Sequence, residues 1–185
     1  MKRIISISLS LILLIFFFSH SSYAAEEKMS KEISPTPTII EYQLPYPGLL
    51  PDNPLYFFKT IRDRIVSLLI ADPFKKSEFN LLQADKRLST GMYLFEKGKK
   101  TLAETTISKG ENYFQEALTQ AEKATREGKD TKDLIRRLSE AYAKHKEVLT
   151  NIVDKSPKDL KENFMVIDKK VAGFEKRVSS LKSKY

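Results

Sequence analysis

The feature that most limits the possible folds of this chain is a recurrence of apolar residues every three or four positions from Leu55 to Leu181. This spacing is typical of amphipathic α-helices, and no strand pattern competes with it. Residue types that begin or end helices interrupt the apolar runs at Asp72-Pro73, Gly98, Gly128 and Ser156-Pro157. Because the breaks are short, successive helices should lie antiparallel. The pattern predicts an all-α fold, an up-and-down bundle of about five helices built from antiparallel hairpins.

We expect the first four helices to cover about residues 54–70, 73–97, 100–127 and 131–153, and a fifth to start at Ser156-Pro157. Asn53, Asp72 and Ser156 are the expected N-caps, each followed by a proline at the first helical position. The first helix should lie along the bundle. Gly110, inside the third helix, implies either close approach of a neighbour or a local kink. The fifth helix should present one unbroken heptad seam of Leu160, Phe164, Ile167, Val171, Phe174, Val178 and Leu181.

Residues 1–24 have the composition of a secretory signal peptide. Lys2 and Arg3 precede an apolar run over residues 4–18, and Ser22 and Ala24 are small residues at the positions that a signal peptidase reads. We therefore expect cleavage after Ala24 and an extracellular, periplasmic or cell-surface location; an uncleaved leader would instead anchor the chain in a membrane. The chain has no cysteine, which excludes lipoprotein acylation and disulfides.

Residues 25–48 form a polar and then proline-containing segment ahead of the helical domain, which we expect at 49–185. Such composition favours an extended, semi-rigid spacer. The segment is either a tether that holds the domain away from a surface or an N-terminus without fixed structure. Its end should pack on the bundle through Tyr42, Leu44, Tyr46 and Leu49.

The start of the helical domain carries a family resemblance. The stretch Leu50-Pro51-Asp52-Asn53-Pro54-Leu55-Tyr56, followed by Lys59, resembles the opening of an uncharacterised bacterial family of unknown function whose members begin Leu-Pro-Asp-Ser-Pro-Leu-Tyr. The similarity runs from about residue 50 to 149, and Asn53 in place of the family's Ser keeps a capping side chain. Within the second helix it includes Asp72-Pro73, Glu78, Ala84 and Lys86-Arg87-Leu88. The resemblance implies an exported or membrane-tethered helical protein and no particular activity.

The residues give no catalytic, cofactor or metal site. His145 is the single histidine after residue 24, and its place between Tyr142 and Leu149 on an apolar stripe favours a packing role over metal binding. Asp85 and Glu78 fall near the edge of the second helix's stripe, where a solvated rim is expected. No nucleophile elbow or glycine-rich phosphate loop is present. We expect no enzyme and no cofactor.

Basic charge is concentrated at the C-terminal end. The chain carries a net charge of +8, and residues 157–185 hold eight basic against four acidic side chains. This excess suggests contact with anionic wall polymer or lipid, although a solvated helix flank has the same composition. Nucleic acid is disfavoured by export and by the mixing of lysines with acids. The candidate contact residues are Lys161, Lys169, Lys170, Lys176, Arg177 and Lys182.

Three functions are compatible with these observations. The favoured one is an exported, non-catalytic helical module of the cell envelope that mediates an interaction with an unknown protein or acts as a scaffold. The second is a weak binder of anionic wall polymer or membrane through the basic last helix. The third, an enzyme or small-ligand carrier, requires a polar pocket among the helices. The sequence does not fix the oligomeric state.

Overall fold

A computed structural model describes residues 41–184 of the chain. Six helices lie in this range: α1 (Tyr56–Leu69), α2 (Pro73–Glu96), α3 (Lys100–Arg126), α4 (Lys132–Lys155), α5 (Lys158–Ala172) and α6 (Glu175–Lys182). No strand occurs in the described range, and the predicted all-α bundle is confirmed. The predicted signal peptide and residues 25–40 of the predicted tether lie outside the described residues. Within residues 41–184, none of the helices combines the length and apolar composition needed to cross a membrane.

Local chemistry sets the ends of the two longest helices. The Asp72 carboxylate accepts the Lys75 N–H at 2.9 Å, and Pro73 is the first residue of α2, as predicted. Gly98 and Gly128 each adopt a φ of 77°, a left-handed conformation that glycine reaches without strain. The next residue in each case donates its N–H to a carbonyl five positions back, which ends α2 and α3. These stops confirm the helix ends that the glycine positions predicted.

Two of the predicted caps act differently in the structure. Asn53 accepts the Leu55 N–H at 2.9 Å, so it caps the turn before α1, and the helix itself begins at Tyr56 rather than Pro54. Ser156 does not cap α5; its hydroxyl donates to the Ile152 carbonyl at 2.6 Å and so closes the end of α4. Both side chains therefore satisfy backbone groups at helix ends, but on a different turn from the expected one.

The longest interface of the bundle joins α2 and α3, which approach each other at two glycines. A Cβ atom added at Gly91 would lie 2.2 Å from Ile107 Cγ1, and one at Gly110 would lie 3.0 Å from Arg87 Cβ. Helix α3 continues through Gly110 without interruption. Of the two explanations for this glycine, close approach is therefore correct, because any larger residue would push the helices apart.

Helices α4, α5 and α6 complete the core. Phe164 of α5 meets Phe95 edge-on at 5.7 Å between ring centroids, and Phe174 stacks on Phe114 at 5.6 Å. The prediction of one unbroken fifth helix was wrong, because the chain departs from regular helix at Gly173 and Phe174. The Phe174 N–H there bonds to Val171, three residues back instead of four. Six of the seven seam residues stay buried across the break, and Leu160 is half-buried.

Helix α1 differs most from expectation. It makes no extended contact with another helix of the described chain, and most of its large apolar side chains face outward. The expectation that it lies along the bundle is therefore not supported by any extended helix contact within residues 41–184. The segment before it is only partly packed: Tyr42 and Leu44 contact the core, whereas Tyr46 and Leu49 are exposed.

Candidate functional site

The most unusual surface of the described chain is the outer side of α1. Six large apolar residues there are exposed, with Leu68 and Leu69 each at 78% of their full accessibility. Soluble monomeric proteins rarely leave a contiguous apolar patch of this kind uncovered. We name this surface the α1 apolar face and define it as Phe57, Phe58, Ile61, Ile65, Leu68 and Leu69.

The opposite side of α1 holds it against the rest of the chain. Asp63 is only 5% exposed, and Tyr56 is half-buried, with its pKa raised by burial. Lys59 donates to the carbonyl of Pro47 at 3.2 Å, which ties the helix to the segment before it. Just before the helix, Asp52 pairs with Lys99 at 2.5 Å. Polar groups thus face inward on α1, while its apolar groups face solvent.

The exposed charge on α1 is basic. Arg62 and Arg64 are both exposed, and the single acid of the helix, Asp63, is buried and paired with Arg62 at 2.8 Å. At 100° per residue, the six residues of the α1 apolar face occupy an arc of about 120°, and the two arginines lie just outside its two edges. The outer side of α1 is therefore an apolar arc bordered by positive charge.

The predicted basic contact residues divide into two groups. Lys161, Lys169, Lys176 and Lys182 are exposed, and none forms a salt bridge within the described chain. Lys170 and Arg177 turn inward instead: Lys170 donates to Asn112, and Arg177 pairs with Glu122 at 2.8 Å. The first four side chains are free to meet an external anion, whereas the other two connect the last helices to α3.

A buried polar cluster lies where α2, α3 and α4 meet. The His145 ring is fully buried, with Nδ1 at 2.9 Å from Glu111 Oε1 and Nε2 at 3.0 Å from Asp85 Oδ1. The Tyr42 hydroxyl donates to the other Asp85 oxygen at 2.5 Å. Phe114 covers the imidazole, with 4.8 Å between ring centroids. We name these four polar residues the His145 cluster: Tyr42, Asp85, Glu111 and His145.

The carboxylates of Glu111 and Asp85 keep the His145 ring protonated. Burial opposes the imidazolium and is the largest single effect, but the charges of Glu111 and Asp85 and their hydrogen bonds together outweigh it. The pKa of His145 is raised from 6.5 to about 9, so at neutral pH both ring nitrogens donate. Burial, followed by the charge of Asp85, raises the pKa of the Tyr42 hydroxyl, which keeps it a donor. Glu111 Oε2 has no hydrogen-bond partner among the described residues.

The His145 cluster has the residue types of a catalytic or metal site but not the access. His145 and Glu111 expose no surface, and Asp85 is 4% exposed. A cavity of about 250 Å³ has Tyr42, Glu78, Asp85 and Arg137 in its lining, and the Tyr42 hydroxyl is bonded to the Asp85 carboxylate there. Among residues 41–184, no group of three or more His, Cys, Asp or Glu side chains has a geometry that would hold a metal ion. The arrangement forms an internal ion pair between His145 and the carboxylates of Glu111 and Asp85.

Sequence reasoning placed His145 in the core correctly but missed its partners. The expected solvated rim was wrong for Asp85, which is buried, while Glu78 is half-exposed and pairs with Arg137 at 2.5 Å. Glu111 was not recognised at all. A signal was available: Asp85 lies four residues after Leu81 and three before Leu88, which is the spacing of the stripe itself. Glu111 has the same relation to Ile107 and Phe114.

Comparison with known proteins identifies a family of unknown function. A family model described as a domain of unknown function, DUF5667, matches residues 48–159, from the turn before α1 to the start of α5. No curated protein and no solved structure matches the chain significantly. The match includes all of α1 and all three helices that form the His145 cluster. Because it spans more than half of the chain, this protein belongs to the DUF5667 family.

Proposed function

We propose that the chain is an exported, non-catalytic helical module of the cell envelope that acts by interaction or scaffolding. The single observation that carries this proposal is the α1 apolar face. Helix α1 is turned so that six large apolar side chains point outward and Asp63 points inward. Such an arrangement costs stability in isolation and is explained by a surface that covers the face in the working state.

The His145 cluster supports the non-catalytic part of the proposal. A general acid or base must reach the proton of a substrate within hydrogen-bond distance. His145 and Glu111 are fully buried, so neither side chain has an exposed atom that a ligand could contact. The remaining histidine, His20, belongs to the predicted leader.

Fractionation of the native host tests the proposal. The wild-type protein should remain with the envelope fraction after export, and Phe58→Glu/Leu68→Glu should release it, because two charges would interrupt the α1 apolar face. The matched control is Met165→Glu/Val166→Glu, which places the same charges on exposed apolar residues of α5. Release of both variants alike, or of neither, would refute a role for α1 in attachment.

A second candidate function is weak binding of anionic wall polymer or membrane through the last two helices. The observation in its favour is the set of four exposed lysines without salt bridges in the described chain: Lys161, Lys169, Lys176 and Lys182. Each basic residue near an anionic surface contributes about 1 kcal/mol, and salt screens that attraction within ~8 Å. Reversing these four lysines to Glu should abolish low-salt sedimentation with wall polymer without changing helicity. A wild-type protein that fails to sediment at low salt would exclude this candidate.

A further inference from the structure

We infer that the α1 apolar face docks on an anionic membrane surface, with α1 lying in the plane of the interface. This inference rests on the proposed function and names the surface to which the module attaches. Helix α1 has 14 residues. At 1.5 Å per residue it is about 21 Å long, which is shorter than the ~30 Å hydrocarbon core of a bilayer, so it fits along the surface and not across it.

The width of the apolar arc favours a flat apolar phase over a partner helix. A helix that pairs with another helix needs only a narrow seam of residues at two positions per heptad. The α1 apolar face is wider and includes both Phe57 and Phe58, whose rings meet edge-on at 5.8 Å on the exposed side. Aromatic and aliphatic residues on one face and basic residues on the other part of the circumference are typical of interfacial helices.

The position of the charges points to lipid headgroups. Arg62 and Arg64 border the arc on opposite edges, where long side chains can reach phosphate while their stems stay in the apolar layer. The only acid of the helix, Asp63, is buried on the opposite side and therefore does not repel an anionic surface. The exposed side of α1 thus carries the guanidinium groups of Arg64 and of Arg62, the latter also paired with Asp63 at 2.8 Å.

The same charges disfavour a second copy of the chain as the occupant. A two-fold dimer through α1 would cross near the middle of the helix, because a two-fold interface places the same patch of each copy against the other. Arg62 and Arg64 lie at that midpoint, so four arginines would converge there. A bilayer of anionic lipid meets the same residues with opposite charge.

Tryptophan fluorescence provides a site-specific test, because the chain contains no tryptophan. The protein is purified as its host exports it, so that all variants share one N-terminus. Phe58→Trp is titrated with vesicles of phosphatidylglycerol and phosphatidylcholine and with vesicles of phosphatidylcholine alone. We expect a blue shift of emission with the anionic vesicles, a weaker response with the neutral ones and loss of binding as salt rises. The control reporter, Val166→Trp on α5, should show no shift.

Substitutions then separate the contributions. Leu68→Glu/Leu69→Glu in the Phe58→Trp background should raise the lipid concentration for half-binding by roughly a hundredfold, since two leucines that are 78% exposed would no longer enter the bilayer. Arg62→Gln/Arg64→Gln should remove the preference for anionic vesicles. Leu68, Leu69 and Arg64 are exposed, so their substitution should leave the melting temperature at that of the parent, which shows that a loss of binding is not a loss of fold. Arg62 also pairs with the buried Asp63, so Arg64→Gln alone accompanies the double arginine variant as the form that keeps this pair.

Each other result has a definite meaning. If anionic lipid leaves the emission spectrum of the Phe58→Trp variant unchanged, the membrane inference is overturned. If α1-dependent retention in the envelope fraction persists nevertheless, the partner is a protein and the proposed function stands. A shift that depends on protein concentration without lipid, together with dimer formation in sedimentation, identifies a second copy and also overturns the inference. If the α1 substitutions affect neither vesicle binding nor envelope retention, the proposed function itself fails.

Discussion

Replacing His145 should expose how strongly the three helices around it are coupled. His145→Leu leaves Glu111 and Asp85 facing each other in the core without a counter-charge. Removing one partner of a buried ion pair typically costs about 3–5 kcal/mol, because the remaining charge keeps its desolvation penalty. We expect a loss of that size in the free energy of unfolding, measured by urea titration at pH 7.

Adding a second substitution should restore part of the loss. In His145→Leu/Glu111→Leu the fully buried carboxylate is gone and apolar atoms fill the space, while Asp85 keeps the Tyr42 hydroxyl as donor. The double variant should therefore be more stable than His145→Leu, since apolar replacement of a whole buried pair is often neutral or stabilising. The matched control is His145→Leu/Glu162→Leu, where an exposed acid is changed and stability should move by less than about 0.5 kcal/mol.

The pH dependence provides a second measurement of the same cluster. Because the pKa of His145 rises from 6.5 in the unfolded chain to about 9 in the fold, the stabilisation is fully present below pH 6.5 and is lost as pH rises through 9. The difference corresponds to roughly 3 kcal/mol. Urea titrations from pH 6 to 9.5 should show most of this decline in the wild type and a smaller one in His145→Leu/Glu111→Leu, which lacks both members of the buried pair. A wild-type free energy of unfolding that does not change with pH would refute the description of His145 as a buried imidazolium. So would a His145→Leu/Glu111→Leu variant whose loss of stability exceeds the sum of the losses of the two single substitutions.

Three further outcomes are expected. Gly91→Ala should destabilise the bundle by about 1–3 kcal/mol in thermal or urea unfolding, because the added methyl group would lie 2.2 Å from Ile107 Cγ1; a neutral effect would show that α2 and α3 can separate freely. Intact-mass measurement of the exported protein should show loss of residues 1–24, and a retained leader would instead indicate an anchored chain. Zinc should leave the melting temperature unchanged, since a metal that binds the native state would raise it, and a zinc-dependent rise abolished by His145→Leu would contradict this.

The parts of the fold that the sequence predicts well are those fixed by local chemistry. Asp72-Pro73 begins α2 because the carboxylate and the proline ring satisfy the first turn with no help from other helices. Gly98 and Gly128 end helices for an equally local reason, their positive φ. Apolar periodicity also located the three long helices to within a few residues.

The sequence did not reveal whether the apolar face of a helix points into the core or toward solvent. The apolar residues of α1 have the same spacing as those of α4, and periodicity alone does not distinguish a face that packs inward from one that faces outward. The available sign was Asp63, an acid opposite the stripe with arginines beside it. The His145 cluster was missed for a related reason: its members lie 34 and 60 positions apart along the chain, so no local motif connects them.

The close glycine contact between α2 and α3 also bears on the order in which the chain folds. Gly91 and Ile107 are near in sequence, so the hairpin closes a short loop and loses little chain entropy when it forms. Within this hairpin Asp85 and Glu111 face the position that His145 of α4 occupies in the folded chain. Stopped-flow kinetics should then show that the α2–α3 contact forms before the folding transition state and the His145 contacts after it. Gly91→Ala is expected to slow folding, whereas His145→Leu should mainly accelerate unfolding.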